Sequence, residues 1–265
     1  MNIYKDQLYR SVVLHDKPKR IVSLVPSQTE LLCDLGLKDH LVGVTKFCVH
    51  PRSIRDEVTV VGGTKQIHLD KIRALQPDII LCNKEENTLE IVQECVKIAP
   101  VHISDVLGFS DCLELIGMYG SIFGVETRAT ELQERLQAQL LDFKEFVEDY
   151  PRFRTAYFIW KSPWMVAAND SFINYLMEIQ GFDNHFGHLS RYPEIQIDES
   201  SLEGVELILL SSEPYPFKED DTNILKDIVP SAKILLVDGE MFSWYGSRLT
   251  QAFVYFKRLH QEYLS

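Results

Sequence analysis

The longest regular apolar pattern in the chain lies near its middle. Apolar side chains recur there in steps of three and four residues, at Val125, Ala129, Leu132, Leu136, Leu140, Phe143, Val147 and Tyr150. Charged and amide residues fill most of the positions between them, and no glycine or proline interrupts the run before Pro151. This spacing predicts one amphipathic helix over residues 125–150, on the order of 39 Å long at about 1.5 Å per residue.

Short apolar runs, each about as long as a buried strand, alternate with helical patterns before and after this helix. The predicted strands cover residues 20–25, 41–45, 58–63, 79–82, 101–103, 154–160, 164–168, 206–212 and 232–238. Such alternation is typical of parallel α/β sheets. It predicts an amino-terminal α/β lobe (1–124), the connecting helix (125–150) and a carboxyl-terminal α/β lobe (151–265). The alternative is an ordinary long surface helix packed on a single domain.

The first predicted helix carries a start signal. Pro26 ends the strand before it, and Ser27 is followed three positions later by Glu30. A serine and a glutamate at this spacing form a capping box, in which each side chain bonds the backbone of the other residue. The sequence therefore predicts a capped helix that begins at Ser27 and closes at Gly36.

Composition narrows the range of partners. The 265 residues include 27 Lys and Arg against 39 Asp and Glu, which gives a net charge of −12. An acidic chain without a basic stripe is not expected to bind nucleic acid or an anionic membrane. No stretch approaches the ~20 apolar residues that a membrane-spanning helix requires, so membrane insertion is not expected either.

The amino terminus and the cysteines indicate in which cellular compartment the protein is expected to work. The first 24 residues are polar and mixed, without the apolar core and cleavage site of a secretory signal peptide. Taken as written, the chain is predicted to be cytoplasmic, and it is predicted to be periplasmic if a leader has been removed. The cysteines are scattered and odd in number, which favours reduced thiols over a disulfide framework or a zinc site.

Motifs of known catalytic chemistry are absent from the sequence. It contains no phosphate-binding glycine-rich loop and no nucleophile-elbow motif, and its histidines lack the spacing of a strong metal site. We therefore predict no catalytic residues, no metal bound by side chains and no intrinsic cofactor.

The carboxyl ends of the predicted strands are the expected place for a ligand, because open parallel sheets bind ligands there. The aromatic residues near these ends include Phe47, Trp160, Trp164, Phe242 and Trp244. The lysines that follow three successive strands of the first lobe are Lys46, Lys65 and Lys84. Aromatic rings offer flat contact area to a large ligand, and lysines pair with its anionic groups. Alternatively, the aromatic residues cover the sheet ends and the lysines are solvated surface.

Five segments carry a resemblance to a known family: residues 20–37, 41–51, 61–82, 191–210 and 237–249. Together with the central helix they resemble the class III, helical-backbone substrate-binding proteins of ABC importers, in the group that binds vitamin B12 and iron siderophores. The resemblance implies two Rossmann-like lobes with parallel sheets, joined by a single long helix, and a ligand in the cleft between the lobes. The implied ligand is a small-molecule metal chelate: cobalamin or another corrinoid, a ferric siderophore, or haem. The implied partners are the membrane subunits of an ABC importer, and we expect a monomer.

The resemblance transfers to individual residues in part. In B12-binding members an aromatic residue follows the second strand, near Phe47 here, but the next two aromatic positions fall in the regions of Lys65 and Lys84. The second-lobe contacts correspond to Trp160, Trp164, Tyr192, Phe242, Trp244 and the basic residue Arg248. The change from aromatic to cationic side chains favours a ligand with more negative charge, such as a carboxylate or catecholate siderophore or haem.

The family also implies one acidic residue on the surface of each lobe, which pairs with arginines of the membrane subunits. Asp70 and Asp198 stand near these positions, as aspartate rather than glutamate. Two other functions remain open from the sequence. One is a cytoplasmic carrier or sensor of a corrinoid or metal complex, and the less favoured one is an α/β enzyme that uses Asp238, Glu240 or the histidines on a small molecule.

Overall fold

The computed structural model describes residues 1–264, which divide into two compact units. Unit 1 comprises Met1–Leu136 and Tyr245–Arg248. Unit 2 comprises Gln137–Trp244 and the described residues from Leu249 onward. The division falls inside the long central helix, so the first part of that helix is counted with unit 1 and the remainder with unit 2.

Strands and helices alternate along unit 1. Its strands are β1 (Asn2–Lys5), β2 (Ser11–Leu14), β3 (Ile21–Ser23), β4 (Leu41–Val44), β5 (Thr59–Val60), β6 (Ile79–Asn83) and β7 (Val101–Ser104). Its helices are α1 (Pro26–Asp34), α2 (Ile54–Glu57), α3 (Leu69–Ala74), α4 (Leu89–Val96) and α5 (Phe109–Phe123), and the central helix α6 (Glu126–Val147) begins in it.

Strands β3 to β7 form one parallel sheet in the order β5-β4-β3-β6-β7. The two central strands, β3 and β6, are buried at every residue, as expected where helices cover both faces of a sheet. Strands β1 and β2 form a separate antiparallel pair. Because the five strands run in one direction, their carboxyl ends lie along a single edge of the sheet.

The start of helix α1 differs from the sequence prediction. The helix begins at Pro26, its N-cap residue is Val25, and no side chain caps it. Ser27 lies inside the first turn, and the carboxylate of Glu30 pairs with Arg248 instead of a backbone N–H. The predicted capping box is therefore wrong. Proline at the first helical position has no N–H to satisfy and a suitable fixed φ, so the helix starts there without a side-chain cap.

Unit 2 contains the remaining elements. Its strands are β8 (Phe153–Trp160), β9 (Trp164–Val166), β10 (Phe182–Asn184), β11 (Glu194–Ile195), β12 (Leu207–Ser211) and β13 (Lys233–Val237). Its helices are α7 (Phe172–Ile179), α8 (Glu219–Ile228), α9 (Gly239–Ser243) and α10 (Leu249–Leu259), and a π-helical turn follows at His260–Leu264.

The sheet of unit 2 is mixed rather than wholly parallel. Strands β8, β10, β12 and β13 run parallel, whereas β9 is antiparallel to β8 and β11 is antiparallel to β9. Residues 161–163 alone connect β8 to β9, and a connection this short permits a hairpin but not the crossover that parallel pairing needs. The sequence pattern showed two adjacent strands without revealing their direction.

Helix α6 buries the apolar stripe that the sequence predicts. Ala129, Leu132 and Leu136 are buried in the part that belongs to unit 1, and Leu140 and Phe143 in the part that belongs to unit 2. The helix is three residues shorter at its carboxyl end than predicted, and at its amino end it begins one residue later. Its 22 residues correspond to a length of about 33 Å.

A fully buried histidine, His260, lies in an aromatic cluster of unit 2. Its ring stacks on Phe182 with 5.4 Å between ring centroids and meets Tyr150 edge-on at 5.0 Å. Phe143 and Phe146 also contact it edge-on, at 6.3 and 6.2 Å. Burial among these rings lowers the pKa of His260 to about 4, because the imidazolium form would lose its hydration.

From this cluster we predict that the free energy of unfolding decreases at acid pH. The pKa of His260 is about 4 in the folded state against 6.5 for an exposed histidine, so between these values the unfolded chain binds the extra proton. The contribution is complete above pH 6.5 and decreases as the pH falls through this window, by up to about 1.4 kcal/mol per pH unit. His260→Phe keeps a ring in the cluster and removes the titrating group.

Urea unfolding of the native chain and of His260→Phe at several pH values between 7 and 4 tests this. The variant should show a shallower decrease in the free energy of unfolding toward acid pH. The slope should not vanish, because burial also lowers the pKa of His102 to about 4. An unchanged slope in the variant would contradict the prediction.

Candidate functional site

Two buried asparagines organise the loops that follow β5, β6 and β7, at what we call the unit 1 edge. The Oδ1 atom of Asn83 accepts the backbone N–H of Glu85 at 2.8 Å, and its Nδ2 donates to the carbonyl of Ser104 at 3.2 Å. Asn87 accepts the N–H of Asn83 at 2.8 Å and donates to the carbonyl of Thr64 at 3.0 Å. These bonds join three neighbouring loops and fix the backbone from which the lysines project.

Two of the predicted ligand-binding lysines lie on these loops and differ in how their charge is balanced. Lys84 forms an ion pair with Asp105 at 2.5 Å between Nζ and Oδ2, and its side chain is 44 % exposed. The Nζ of Lys65 donates to the backbone carbonyl of Glu85 at 2.5 Å. A carbonyl orients an ammonium group without cancelling its charge, so Lys65 presents a positive charge at the edge.

Phe47, the predicted aromatic contact of the first lobe, lies on the loop after β4 and is 49 % exposed. The Nζ atom of Lys46 lies 5.0 Å from the centroid of its ring, in cation–π range. A Cβ atom added at Gly63 would lie 3.1 Å from the ring, so the glycine permits Phe47 to pack against the loop after β5. An exposed phenylalanine beside a lysine suits a ligand that is both flat and anionic.

A buried polar network lies within unit 1 behind this edge. The amide of Gln28 accepts a hydrogen bond from the hydroxyl of Tyr119 at 2.6 Å. It donates to the Oγ of Ser104 at 2.5 Å and to the hydroxyl of Tyr245 at 2.9 Å. Burial raises the pKa of both tyrosines, so their hydroxyls stay protonated as donors. The network joins α1, α5, β7 and the segment Tyr245–Arg248.

Arg248, a predicted ligand-binding residue, forms a buried ion pair in unit 1. Its Nη2 lies 2.7 Å from Oε1 of Glu30, and its Nε donates to Oε2 at 2.9 Å. The two side chains are 3 % and 8 % exposed. This two-point contact matches the planar guanidinium to the carboxylate. It occupies the face of Arg248 that a ligand carboxylate would use, so we do not expect Arg248 to contact the ligand.

At the carboxyl ends of β8, β12 and β13, which we call the unit 2 edge, the predicted tryptophans stand among further aromatic rings. Trp160 is 38 % exposed and meets Tyr215 edge-on at 5.7 Å between centroids. Trp164 is half-buried and stacks on Phe217 at 5.9 Å. The Nζ of Lys161 lies 5.6 Å from the Trp164 ring. The two tryptophans thus belong to one aromatic surface.

Trp244 is held by a carboxylate of the same unit. Its indole Nε1 donates to Oε1 of Glu213 at 2.8 Å, and the hydroxyl of Ser243 donates to the same oxygen at 2.8 Å. Burial, together with the nearby charges of Glu240 and Asp238, raises the pKa of Glu213. Trp244 itself is 7 % exposed, so it offers a ligand little area. Asp238 caps helix α9 by accepting the N–H of Glu240 at 3.1 Å.

The other predicted residues are placed as follows. Phe242 is completely buried against the rings of Tyr157 and Phe256, so it supports the core of unit 2. Tyr192 is half-buried on the segment before β11. The side chain of Asp70, in the first turn of α3, is 99 % exposed, and that of Asp198 accepts the backbone N–H of Ser201 at 2.7 Å.

Several residues that shape these edges were not predicted from the sequence. Asn83 ends an apolar strand, and a polar residue at that point is a recognisable signal for a loop-organising side chain. Gln28 lies in the first turn of helix α1, and the sequence carries no signal for its bonds to Tyr119 and Tyr245, which are distant along the chain. Glu213 carries no sequence signal for its bond to Trp244, since 31 residues separate the two.

Residues 1–264 lack two features that would point to other functions, a metal-binding cluster and a membrane-spanning helix. No group of three or more histidine, cysteine, aspartate or glutamate side chains in this range is arranged to hold a metal ion. Both ring nitrogens of His185 make hydrogen bonds: Nδ1 accepts the Nε–H of Arg154 at 2.9 Å, and Nε2 bonds the carbonyl of Ser201 at 2.8 Å. Within the same range, none of the helices combines the length and apolar character needed to cross a bilayer.

Comparison with known proteins places the chain in a family. A family model described as "Periplasmic binding protein" matches residues 21–228. An uncharacterised ABC transporter substrate-binding lipoprotein, YvrC of Bacillus subtilis, is 30 % identical over 146 residues, 53 % of this chain and 45 % of the relative. A vitamin B12-binding protein of Vibrio vulnificus (strain YJ016) is 24 % identical over 208 residues, 76 % of this chain and 74 % of the relative.

A solved structure agrees with these sequence matches. The periplasmic haem-binding protein RhuT of Roseiflexus sp. RS-1 superposes with a TM-score of 0.79 at 15 % identity, covering 91 % of this chain and 97 % of that one. The chain therefore belongs to the periplasmic binding protein family. The predicted fold class, the class III form of this fold, is confirmed. These relatives are binding proteins rather than enzymes. The sequence match with the Bacillus lipoprotein spans less than half of that protein's length.

The buried ion pair of unit 1 leads to a stability prediction. Glu30→Ala should lower the free energy of unfolding by about 3–5 kcal/mol, because it leaves the Arg248 charge buried without its carboxylate. Replacing both residues, as in Glu30→Leu with Arg248→Met, should cost less than Glu30→Ala alone, because no unpaired charge remains. Chemical denaturation measures all three.

The exposed pair of Lys38 and Glu57, 2.6 Å apart, provides the control. Glu57→Gln should barely change the free energy of unfolding, because solvent screens an exposed pair. A Glu30→Ala variant as stable as Glu57→Gln would contradict the structural role assigned to the buried pair.

Proposed function

We propose that this protein is the substrate-binding component of an ABC importer and that its ligand is a metal chelate with anionic groups. The single observation that carries the proposal is the family match over residues 21–228. The names of the relatives support the ligand class: one binds vitamin B12 and one binds haem, and both ligands are metal complexes of a large flat ring. On this proposal the protein works outside the cytoplasmic membrane, because its relatives include a substrate-binding lipoprotein and a periplasmic haem-binding protein.

The side chains of the two edges support the chemical character of the ligand. Phe47 at the unit 1 edge and Trp160 at the unit 2 edge expose aromatic area suited to a flat ligand. Lys46 and Lys65 add positive charge at the unit 1 edge, although the chain as a whole carries a net charge of −12. Local positive charge in an acidic protein favours an anionic ligand, so we propose a ferric siderophore or haem before cobalamin.

The proposed ligand contacts at the unit 1 edge are Phe47, Lys65 and Lys84, and those at the unit 2 edge are Trp160 and Trp164. Lys84 contributes less charge than Lys65, because Asp105 balances it. Tyr192 is retained as a half-buried contact. Trp244 and Phe242 pack in unit 2 behind its edge, and we propose that they position the exposed rings of that edge.

A ligand panel tests the proposal. The protein is first freed of co-purified small molecules, then heated with cyanocobalamin, haemin or the ferric complexes of a catecholate and a carboxylate siderophore. A specific chelate present at 100 times its dissociation constant should add about 2.7 kcal/mol to the free energy of unfolding. Failure of every chelate would refute the binding function. Stabilisation by cyanocobalamin alone would refute the preference for anionic ligands and leave the binding function standing.

Lysine variants identify the surface used. Lys65→Met should weaken binding of the anionic chelate about tenfold, equivalent to about 1.4 kcal/mol, and should reduce its salt dependence. Lys97→Met is the matched control, because Lys97 follows the carboxyl end of α4, which runs back toward the amino ends of the strands, and pairs with Glu94. Equal loss of affinity in the two variants would contradict the assignment of the unit 1 edge.

We also propose that Asp70 and Asp198 pair with basic side chains of the importer's membrane subunits. Two observations support this proposal. The side chain of Asp70 is almost completely exposed, and Asp198 lies in an exposed turn of unit 2. Asp70→Lys combined with Asp198→Lys should abolish stimulation of the transporter's ATP hydrolysis in proteoliposomes without changing ligand affinity. Asp56→Lys, at another exposed carboxylate of unit 1, is the control and should retain stimulation. Full stimulation by the double variant would refute the docking role.

A further inference from the structure

Strand β13 lies at one edge of the unit 2 sheet, and within residues 1–264 it pairs with β12 alone. In a parallel strand the N–H and C=O of one residue point to the same side, and successive residues alternate between the two sides. The N–H of Lys233 and the carbonyl of Val237 bond the backbone at the two ends of β12, at 2.8 and 2.9 Å. The backbone groups of Ile234 and Leu236 therefore point away from the sheet.

The edge strand β7 of unit 1 shows how this chain covers such an edge elsewhere. The carbonyl of Ile103 accepts the N–H of Gln7 at 3.2 Å, and the N–H of Ile103 donates to Oδ2 of Asp6 at 3.3 Å. Arg10 donates to the carbonyl of Val101 at 2.9 Å. Proteins usually cover or interrupt edge strands in such ways, because an open edge pairs with another chain. No such contact reaches the outward backbone of β13 in the part of the chain that the structure describes.

The open edge of β13 is apolar and lies in a groove. Leu236 is 40 % exposed, and no proline interrupts the strand. Helix α8 forms one wall of the groove, α10 and the turn after it form the other, and the volume between them is about 430 Å³. The second wall is attached to both ends of the strand, because Tyr255 accepts the N–H of Asp238 at 3.0 Å and the carbonyl of Tyr263 accepts the Nζ–H of Lys233.

The two walls lie on opposite faces of the sheet. Successive residues of a strand point to opposite faces, and Tyr157 and Phe158 are neighbours in β8. Phe158 shares a core cluster with Leu225 of α8. Tyr157 contacts the ring of Phe242, which packs on Phe256 of α10. The groove is therefore open along the sheet plane, where a further strand would continue the sheet.

Charged residues of opposite sign stand along each wall. Glu219 and Lys226 of α8 are seven positions, or about two helical turns, apart and line the groove on either side of Thr222. On the other wall, Arg258 and Glu262 line the groove about one turn apart. All four charged residues are exposed. A helix with opposite charges at the two ends of one face is complementary to an antiparallel copy of itself.

We propose that this groove binds a second copy of the same chain, with the two β13 strands paired antiparallel about a two-fold axis. The axis passes beside Leu235, so Ile234 of one copy lies opposite Leu236 of the other. In this register the outward N–H and C=O groups of both residues are hydrogen-bonded in both copies. The two unit 2 sheets become one continuous sheet, and the contact is self-complementary, as a two-fold dimer requires.

The charges favour a second copy over a segment of another protein as the occupant. A two-fold axis perpendicular to the sheet keeps each helix on its own face, so α8 of one copy lies antiparallel to α8 of the other. Glu219 of each copy then faces Lys226 of the other. A dimer differs from the monomer that the sequence led us to expect, because periodicity does not show which strand lies at an open edge. The dimer depends on neither the ligand nor the importer.

Sedimentation equilibrium tests the dimer, on the native chain and its variants from about 1 µM to about 1 mM. The native chain should show a monomer–dimer equilibrium. Glu219→Lys and Lys226→Glu should each weaken dimerisation at least about tenfold, because like charges then face each other across the axis. The double variant Glu219→Lys with Lys226→Glu should recover the native affinity, because opposite charges face each other again.

Asp220→Lys is the matched control for Glu219→Lys. Asp220 precedes the next residue of the same helical turn, is exposed and does not line the groove, and its replacement changes the net charge equally. It should leave the dimer intact. A monomer at every concentration would overturn the proposal and leave a segment of another protein as the occupant. Equal effects of Asp220→Lys and Glu219→Lys, or no recovery in the double variant, would also overturn it.

A proline variant tests the strand pairing itself. Leu236→Pro removes an N–H that points away from β12, a position at which edge strands accept proline. Leu236→Ala loses the same apolar side chain and keeps the N–H. The proline variant should be monomeric at concentrations where the alanine variant still dimerises, and a proline variant that dimerises equally would overturn the proposal. Far-UV circular dichroism confirms that each variant is folded, and if the proline variant is not, the charge exchange decides.

Discussion

Parallel pairing of the strands is the constraint from which the functional surface of each unit follows. A parallel strand must return to its starting side through a helix, so every loop at the carboxyl end of a strand arrives at the same edge. In unit 1 this brings together the loops that carry Phe47, Lys65 and Lys84, although 37 positions separate the first from the last. In unit 2 the same rule gathers the loops after β8, β12 and β13.

Buried polar contacts hold these loops in place. In unit 1 the amides of Gln28, Asn83 and Asn87 bond backbone and hydroxyl groups of the neighbouring elements. The Glu30–Arg248 pair makes a contribution of the same kind from the segment Tyr245–Arg248. A buried polar group that lacks a partner destabilises the folded state. When every group is paired, the network favours one arrangement of the chain, because each hydrogen bond requires a particular direction as well as a distance. They give the unit 1 edge a rigid base.

The two edges differ in chemistry, and the difference bears on the ligand. The unit 1 edge combines one exposed phenylalanine with lysines. The unit 2 edge is dominated by tryptophan, tyrosine and phenylalanine rings, and the half-buried carboxylate of Glu213 holds Trp244 beside them. A metal chelate has matching parts, since its organic framework is flat or apolar and its ligating groups carry negative charge. Neither edge presents a group of side chains arranged to bind a bare metal ion within residues 1–264.

Much of the fold could be predicted from the sequence, because periodicity reports which face of an element is buried. The stripe of helix α6, the buried strands β3 and β6, and the positions of Phe47, Lys65 and Trp160 at strand ends all depend on local spacing. The direction of a strand and the partners of a buried side chain do not depend on local spacing. The antiparallel strand β9, the bond from Trp244 to Glu213, and the use of Glu30 and Arg248 as partners required the tertiary structure. Each of these depends on groups brought together by folding, and local periodicity carries no information about residues that meet from distant parts of the chain.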